Sequence, residues 1–60
     1  MNTAKIDKAI LEAHRFLRAV EAARRRLEAD RMADFGCKET AACRRASMDL
    51  TRALAELRKP

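Results

Sequence analysis

Glycine and proline are almost missing from this chain: Gly36 is the only glycine, and Pro60, the only proline, is its last residue. With one glycine there is no glycine-rich loop to cradle a phosphate. Tryptophan and tyrosine are absent, and Phe16 and Phe35 are the only aromatics. Base stacking against nucleic acid therefore falls to those two rings. No apolar run is long enough to span a bilayer. Charge recurs every few residues from Lys5 onward, so the sequence shows no signal peptide, and Asp7, Glu12 and Glu21 speak against a transit peptide. The expected location is the cytoplasm, with no membrane partner.

Cysteine is scarce too. Cys37 and Cys43 are six residues apart, about 9 Å along a helix and on different faces, which is beyond disulfide reach. Two cysteines and the single His14 cannot build a tetrahedral zinc site at a recognised spacing, so no metal or cofactor is expected. Cys43 reads as a small seam residue. Cys37 stands near a helix N-terminus beside Lys38, a setting that lowers a thiol pKa; its more ordinary reading is a turn cysteine.

What the chain does have is helical periodicity. Before Gly36 the apolar residues run Ile6, Ala9, Ala13, Phe16, Val20, Ala23, Leu27. After it they run Cys43, Ala46, Leu50, Ala53, Leu57. Both sets recur at steps of three and four, the pattern of a buried helix face. In one continuous helix the two stripes would lie about 160° apart. A turn at Gly36 brings them into one seam. The expected fold is all-α: an antiparallel two-helix hairpin that forms a single domain over residues 1–60. Helix 1 spans about residues 3–34, the turn about 35–37 and helix 2 about 38–58. Asn2 or Thr3 caps helix 1, and Gly36 supplies the left-handed residue that closes it. Helix 2 starts near Cys37 or Lys38, or later with Thr40 as its cap.

A chain of 60 residues buries only about 60% of the surface its unfolded form exposes. One seam between two helices barely offsets the cost of ordering them, roughly 1.5 kcal/mol per residue. Without disulfides or metal, association is the remaining remedy. The seam alternates small and large residues, which suits two hairpins dimerising into a four-helix bundle.

Folding the chain back at Gly36 places Arg58 near His14. The first turns of helix 1 then overhang without a partner, and they carry Ile6, Ile10 and Leu11, leading into Phe16 and Leu17. An exposed apolar patch of this kind marks an interaction site. Together with Phe35 in the turn, these are the candidate partner-binding residues. The expected partners are a second copy and a larger protein, with no small-molecule substrate.

The net charge is +5 and the pI about 10.0, which also suits an acidic partner. Pairs four apart, namely Glu21–Arg25, Arg24–Glu28, Arg45–Asp49 and Arg52–Glu56, account for much of that charge as ordinary helix-face support. The densest basic segment is Arg15, Arg18, Arg24, Arg25 and Arg26, the candidate nucleic-acid contacts. Three consecutive arginines point about 100° apart, so at most two share a face with Arg15 or Arg18.

Arg15-Phe16-Leu17-Arg18, on the first helix of a short hairpin with alternating small and large seam residues, resembles the plasmid RNA-binding Rop family. The likeness covers those four residues and the general plan. It implies two hairpins in a four-helix bundle and an aromatic on the first helix, here Phe16, turned toward paired RNA loops.

No catalytic constellation emerges. His14 has only Glu12 and Arg15 near it in sequence, and Ser47 has no paired base. Two helices enclose no pocket in which catalysis could be preorganised. The sequence thus points to a small non-enzymatic interaction module, a regulator or inhibitor of a larger protein, with a nucleic-acid-binding hairpin as the alternative.

Overall fold

The computed structural model describes residues 1–30 and 36–60. Two helices form, α1 over Thr3–Ala29 and α2 over Lys38–Arg58, and no strand is found among the described residues. The fold is an all-α hairpin. Its long axis is 44 Å against 15 and 12 Å for the other two.

Asn2 starts α1. Its backbone is extended and its Oδ1 accepts a hydrogen bond from the Lys5 amide at 2.9 Å. One of the four amides that a helix start leaves without a partner is satisfied in this way. At the other end α1 stops at Ala29, short of the residue 34 suggested by the sequence. Asp30 turns to extended geometry (φ −150°, ψ 105°), while its amide still donates to the Arg26 carbonyl at 3.0 Å. The apolar stripe explains the early stop. Leu27 is its last member, and the next seam positions, Asp30 and Arg31, are charged. The expected end at Ala33 or Asp34 lies outside the described residues.

Cys37 is the N-cap of α2, and Thr40 is its partner and not the cap. The Cys37 amide donates to the Thr40 hydroxyl at 3.4 Å, and that hydroxyl donates to the Cys37 carbonyl at 3.0 Å. Gly36 has φ +141°, a backbone region that side chains rarely adopt. It precedes the α2 cap, however, and does not close α1.

The early end of α1 changes the register. Glu39 of α2 meets Arg26 of α1 at 3.6 Å. At the far end Glu56 shares a groove with Asn2 and Lys5. The C-terminus of α2 therefore reaches the first turn of α1. The expected overhang, with Arg58 beside His14, does not exist. A 27-residue helix is about 40 Å long and a 21-residue helix about 32 Å, so α2 runs back along most of α1.

The seam is thin. Among the described residues its buried apolar members are Ala9, Ala23 and Ala53, and no large side chain is fully buried. The small side chains permit close approach of the helices. Phe16, Leu27, Leu50 and Leu57 are all only half-buried.

Candidate interaction surfaces

A two-helix layer has two broad faces, and here they differ in chemistry. On α1 the side chains turned toward α2 are Ala9, Phe16, Ala23 and Leu27. About 100° to one side lie Ile10 and Leu17, with Ile6 slightly nearer the seam. On α2 the corresponding flank carries Leu50 and Leu54. The turn-proximal groove on this side is walled by Val20, Leu27, Thr40 and Cys43, with Arg24 and Arg44 at its edge. One face is therefore apolar, above all at the end away from the turn. Ile6, Ile10 and Leu17 remain 38%, 51% and 52% exposed there, and Leu50 and Leu54 half-buried.

The other face is polar. Its groove is continuous, because Glu12, Arg15 and Asp49 wall both its halves. Lys5, Lys8 and Arg52 line one half, and Lys38 and Arg45 the other. At its centre Glu12 is 2% exposed, the only buried charged residue among those described. Its Oε1 accepts from Lys8 at 3.1 Å and from Arg15 at 3.3 Å, while its Oε2 has no partner. A buried carboxylate normally requires full pairing. The sequence reading treated Glu12 only as an acidic residue of helix 1. Its position one turn from both Ala9 and Phe16 was the available signal that it borders the seam.

The sequence-derived candidates separate as follows. Ile6, Ile10 and Leu17 lie together on the apolar face. Phe16 is half-buried on the side of α1 turned to α2, whereas the Rop resemblance implies an outward ring. Leu11 is exposed on the outer surface of α1, in a depression shared with His14, Leu17 and Arg18. Phe35 lies outside the described residues. Leu54 was missed, since its position falls beside the strict seam and not on it. Met48 is 64% exposed and lies with Ser47 and Thr51 on the outer side of α2.

The five arginines of helix 1 divide as well. Arg24 pairs with Glu28 at 3.2 Å, and Arg26 bridges Asp30 and Glu39 at 3.6 Å each. Arg15 is held by Glu12. Arg18 and Arg25 fall on the outer surface of α1 without an ion pair among the described residues. Of the four expected pairs spaced by four, Arg24–Glu28 alone forms among those residues. The other three do not form, so Arg25, Arg45 and Arg52 have no carboxylate partner among the described residues.

Cys37 and Cys43 are free thiols. The Cys37 thiol is held below the ordinary cysteine range, first by the Thr40 hydroxyl 3.5 Å from Sγ and then by the backbone amides of Thr40 and Glu39. The Glu56 carboxyl is likewise lowered, chiefly by the Lys59 ammonium at 2.9 Å and then by Lys5. No group of three or more His, Cys, Asp or Glu side chains suited to a metal forms among the described residues. No helix there is long and apolar enough to cross a membrane. No protein-family model matches the chain, nor does any curated protein or solved structure.

Proposed function

We propose that this chain is a non-enzymatic protein-interaction module of the regulator or inhibitor type, and that the apolar face built by both helices is its binding element. The observation that carries this reading is the lack of any fully buried large side chain among the described residues, combined with Ile6, Ile10, Leu17, Leu50 and Leu54 on one face. Fully burying a large aliphatic side chain contributes roughly 1.5–3 kcal/mol. All five keep part of their surface in water, Ile10 and Leu17 about half of it, so covering them recovers a few kcal/mol that the hairpin alone forgoes.

The first occupant is a second copy of the chain. Two apolar faces closing on each other give a four-helix bundle with a true core and with both polar faces outward. A larger protein with a matching helix groove then competes for the same face, in helix-in-groove fashion. Regulation in this scheme is an exchange between self-association and target binding.

Sedimentation of the wild type across a range of concentrations should show a dimer. Ile10→Asp/Leu17→Asp should be monomeric and less helical. Leu11→Asp, on the outer surface of α1, should stay dimeric. A wild-type monomer at high concentration with full helicity, or equal losses in both variants, would remove this reading.

A further inference from the structure

The polar face carries a charge layout that the apolar face does not explain. Six cations, Lys5, Lys8, Arg15, Lys38, Arg45 and Arg52, line its groove with three carboxylates, Glu12, Asp49 and Glu56. The excess of three accounts for most of the net charge of +5. Lys38, Arg45 and Arg52 have no ion-pair partner among the described residues, and Lys8 and Arg15 share one carboxylate oxygen.

The order of the charges across this face is regular. Glu12 and Asp49 lie nearer the seam than the exposed cations and form an acidic midline, which the partly buried Lys5 continues at the end away from the turn. Lys8 and Arg15, seven residues apart, stand outside it on α1. Lys38, Arg45 and Arg52, also seven apart, stand outside it on α2. A seven-residue step is about 10.5 Å along a helix and keeps side chains within about 20° of one face. The result is two straight rows of cations on stiff supports. They are separated by about the distance between packed helix axes, 8–10 Å.

We infer that this face binds duplex nucleic acid through its phosphate backbones, without reading the bases. A duplex presents two rows of negative charge across a groove about 6–12 Å wide. Along each strand phosphates recur at closer intervals than the step of about 10.5 Å, so every cation of a row has a phosphate within reach. The acidic midline then lies over the open groove, away from the phosphates. An acidic helix, by contrast, is a single rod of negative charge, and laid in the groove it would meet Glu12 and Asp49 directly. This surface is distinct from Arg18 and Arg25 on the outer side of α1. It stays exposed when apolar faces pair, so the inference does not depend on dimerisation.

The test is fluorescence anisotropy with a labelled duplex of about two turns, repeated with several unrelated sequences. Five cations at phosphates predict a slope of log K against log salt of about −4.5. Arg45→Glu/Arg52→Glu should weaken binding by tenfold or more, roughly the effect of two reversed contacts. Arg45→Lys/Arg52→Lys should retain it, and Arg18→Glu/Arg25→Glu should change it far less. Circular dichroism checks that each variant stays helical. The inference is overturned by absence of binding at low salt, by equal losses in the two reversals, or by stronger binding to polyglutamate or anionic vesicles than to the duplex.

Discussion

Nε of Arg26 lies 3.6 Å from Oε1 of Glu39, the one ion pair that joins α1 to α2 among the described residues. The same guanidinium reaches Asp30, the residue that ends α1. Arg26 thus ties the last turn of one helix to the first turn of the other. Both partners are partly exposed, so the pair is worth about 0.2–1 kcal/mol. Arg26→Ala should lower the melting temperature by a few degrees, given about 4–8 °C per kcal/mol in a domain of this size. Arg26→Glu alone should cost more, and Arg26→Glu/Glu39→Arg should recover most of the loss. Thermal melts of the four proteins at low and high salt check this. A double reversal no better than the single one would show that the contact does not set the register.

The register shows where sequence reasoning succeeded and where it stopped. The two apolar stripes and their opposed phases were enough to fix a hairpin, because a buried helix face requires that spacing. Asn2 was readable as a cap for the same kind of reason: a short polar side chain before a periodic run has one common use. The turn was misjudged because Gly36 drew the helix end toward itself. The decisive signal was weaker: the stripe fails after Leu27, where Asp30 and Arg31 replace apolar residues. A shift of five residues in that boundary removed the overhang and set Ile6, Ile10 and Leu17 beside Leu50 and Leu54. Glu12 was not legible as buried, since its burial depends on alanines of a helix some forty residues further along the chain.

Gly36 still has a use, although it does not close α1. At φ +141° an added Cβ meets no atom within 4 Å, so the obstacle to substitution is the backbone alone. A residue held in a region of this kind costs about 1–3 kcal/mol. Gly36→Ala should therefore lower the melting temperature without loss of helicity at low temperature. Gly36→Asn should fare little better than Gly36→Ala, because asparagine's tolerance of positive φ is centred at about +50 to +70° and not at +141°. An unchanged Gly36→Ala would mean that the turn adopts another path at no cost.

The Cys37 thiol gives a pH signature. Its folded pKa is lowered by Thr40 and the first amides of α2, while the unfolded chain keeps the ordinary value. Stability rises as pH climbs past the folded value and is fully present above the unfolded one. Alkylation rates against pH should show a lower midpoint for Cys37 in the folded protein than in urea. Thr40→Ala should raise that midpoint. Coincident midpoints in folded and unfolded chains would contradict the Thr40 contact.

Glu12 yields the prediction with the most unusual sign. Its side chain is 3% exposed, one oxygen is shared between Lys8 and Arg15, and the other has no partner. Desolvating a carboxylate costs several kcal/mol, and two exposed cations on its own helix repay this only in part. A leucine of similar volume removes that penalty, leaves Lys8 and Arg15 in water at little cost, and packs against Ala46 and Ala53 across the groove. Replacing buried ion pairs in this way is often neutral or stabilising by about 1–4 kcal/mol. Glu12→Leu should raise the melting temperature. Lys8→Ala/Arg15→Ala should lower it, because the charge is then left without compensation. The two variants part in opposite directions only if Glu12 is a net burden on the fold. If Glu12→Leu melts well below the wild type, the carboxylate instead holds the helices together. If it melts higher yet binds a duplex less well, the carboxylate is retained to hold Lys8 and Arg15 in line on the polar face.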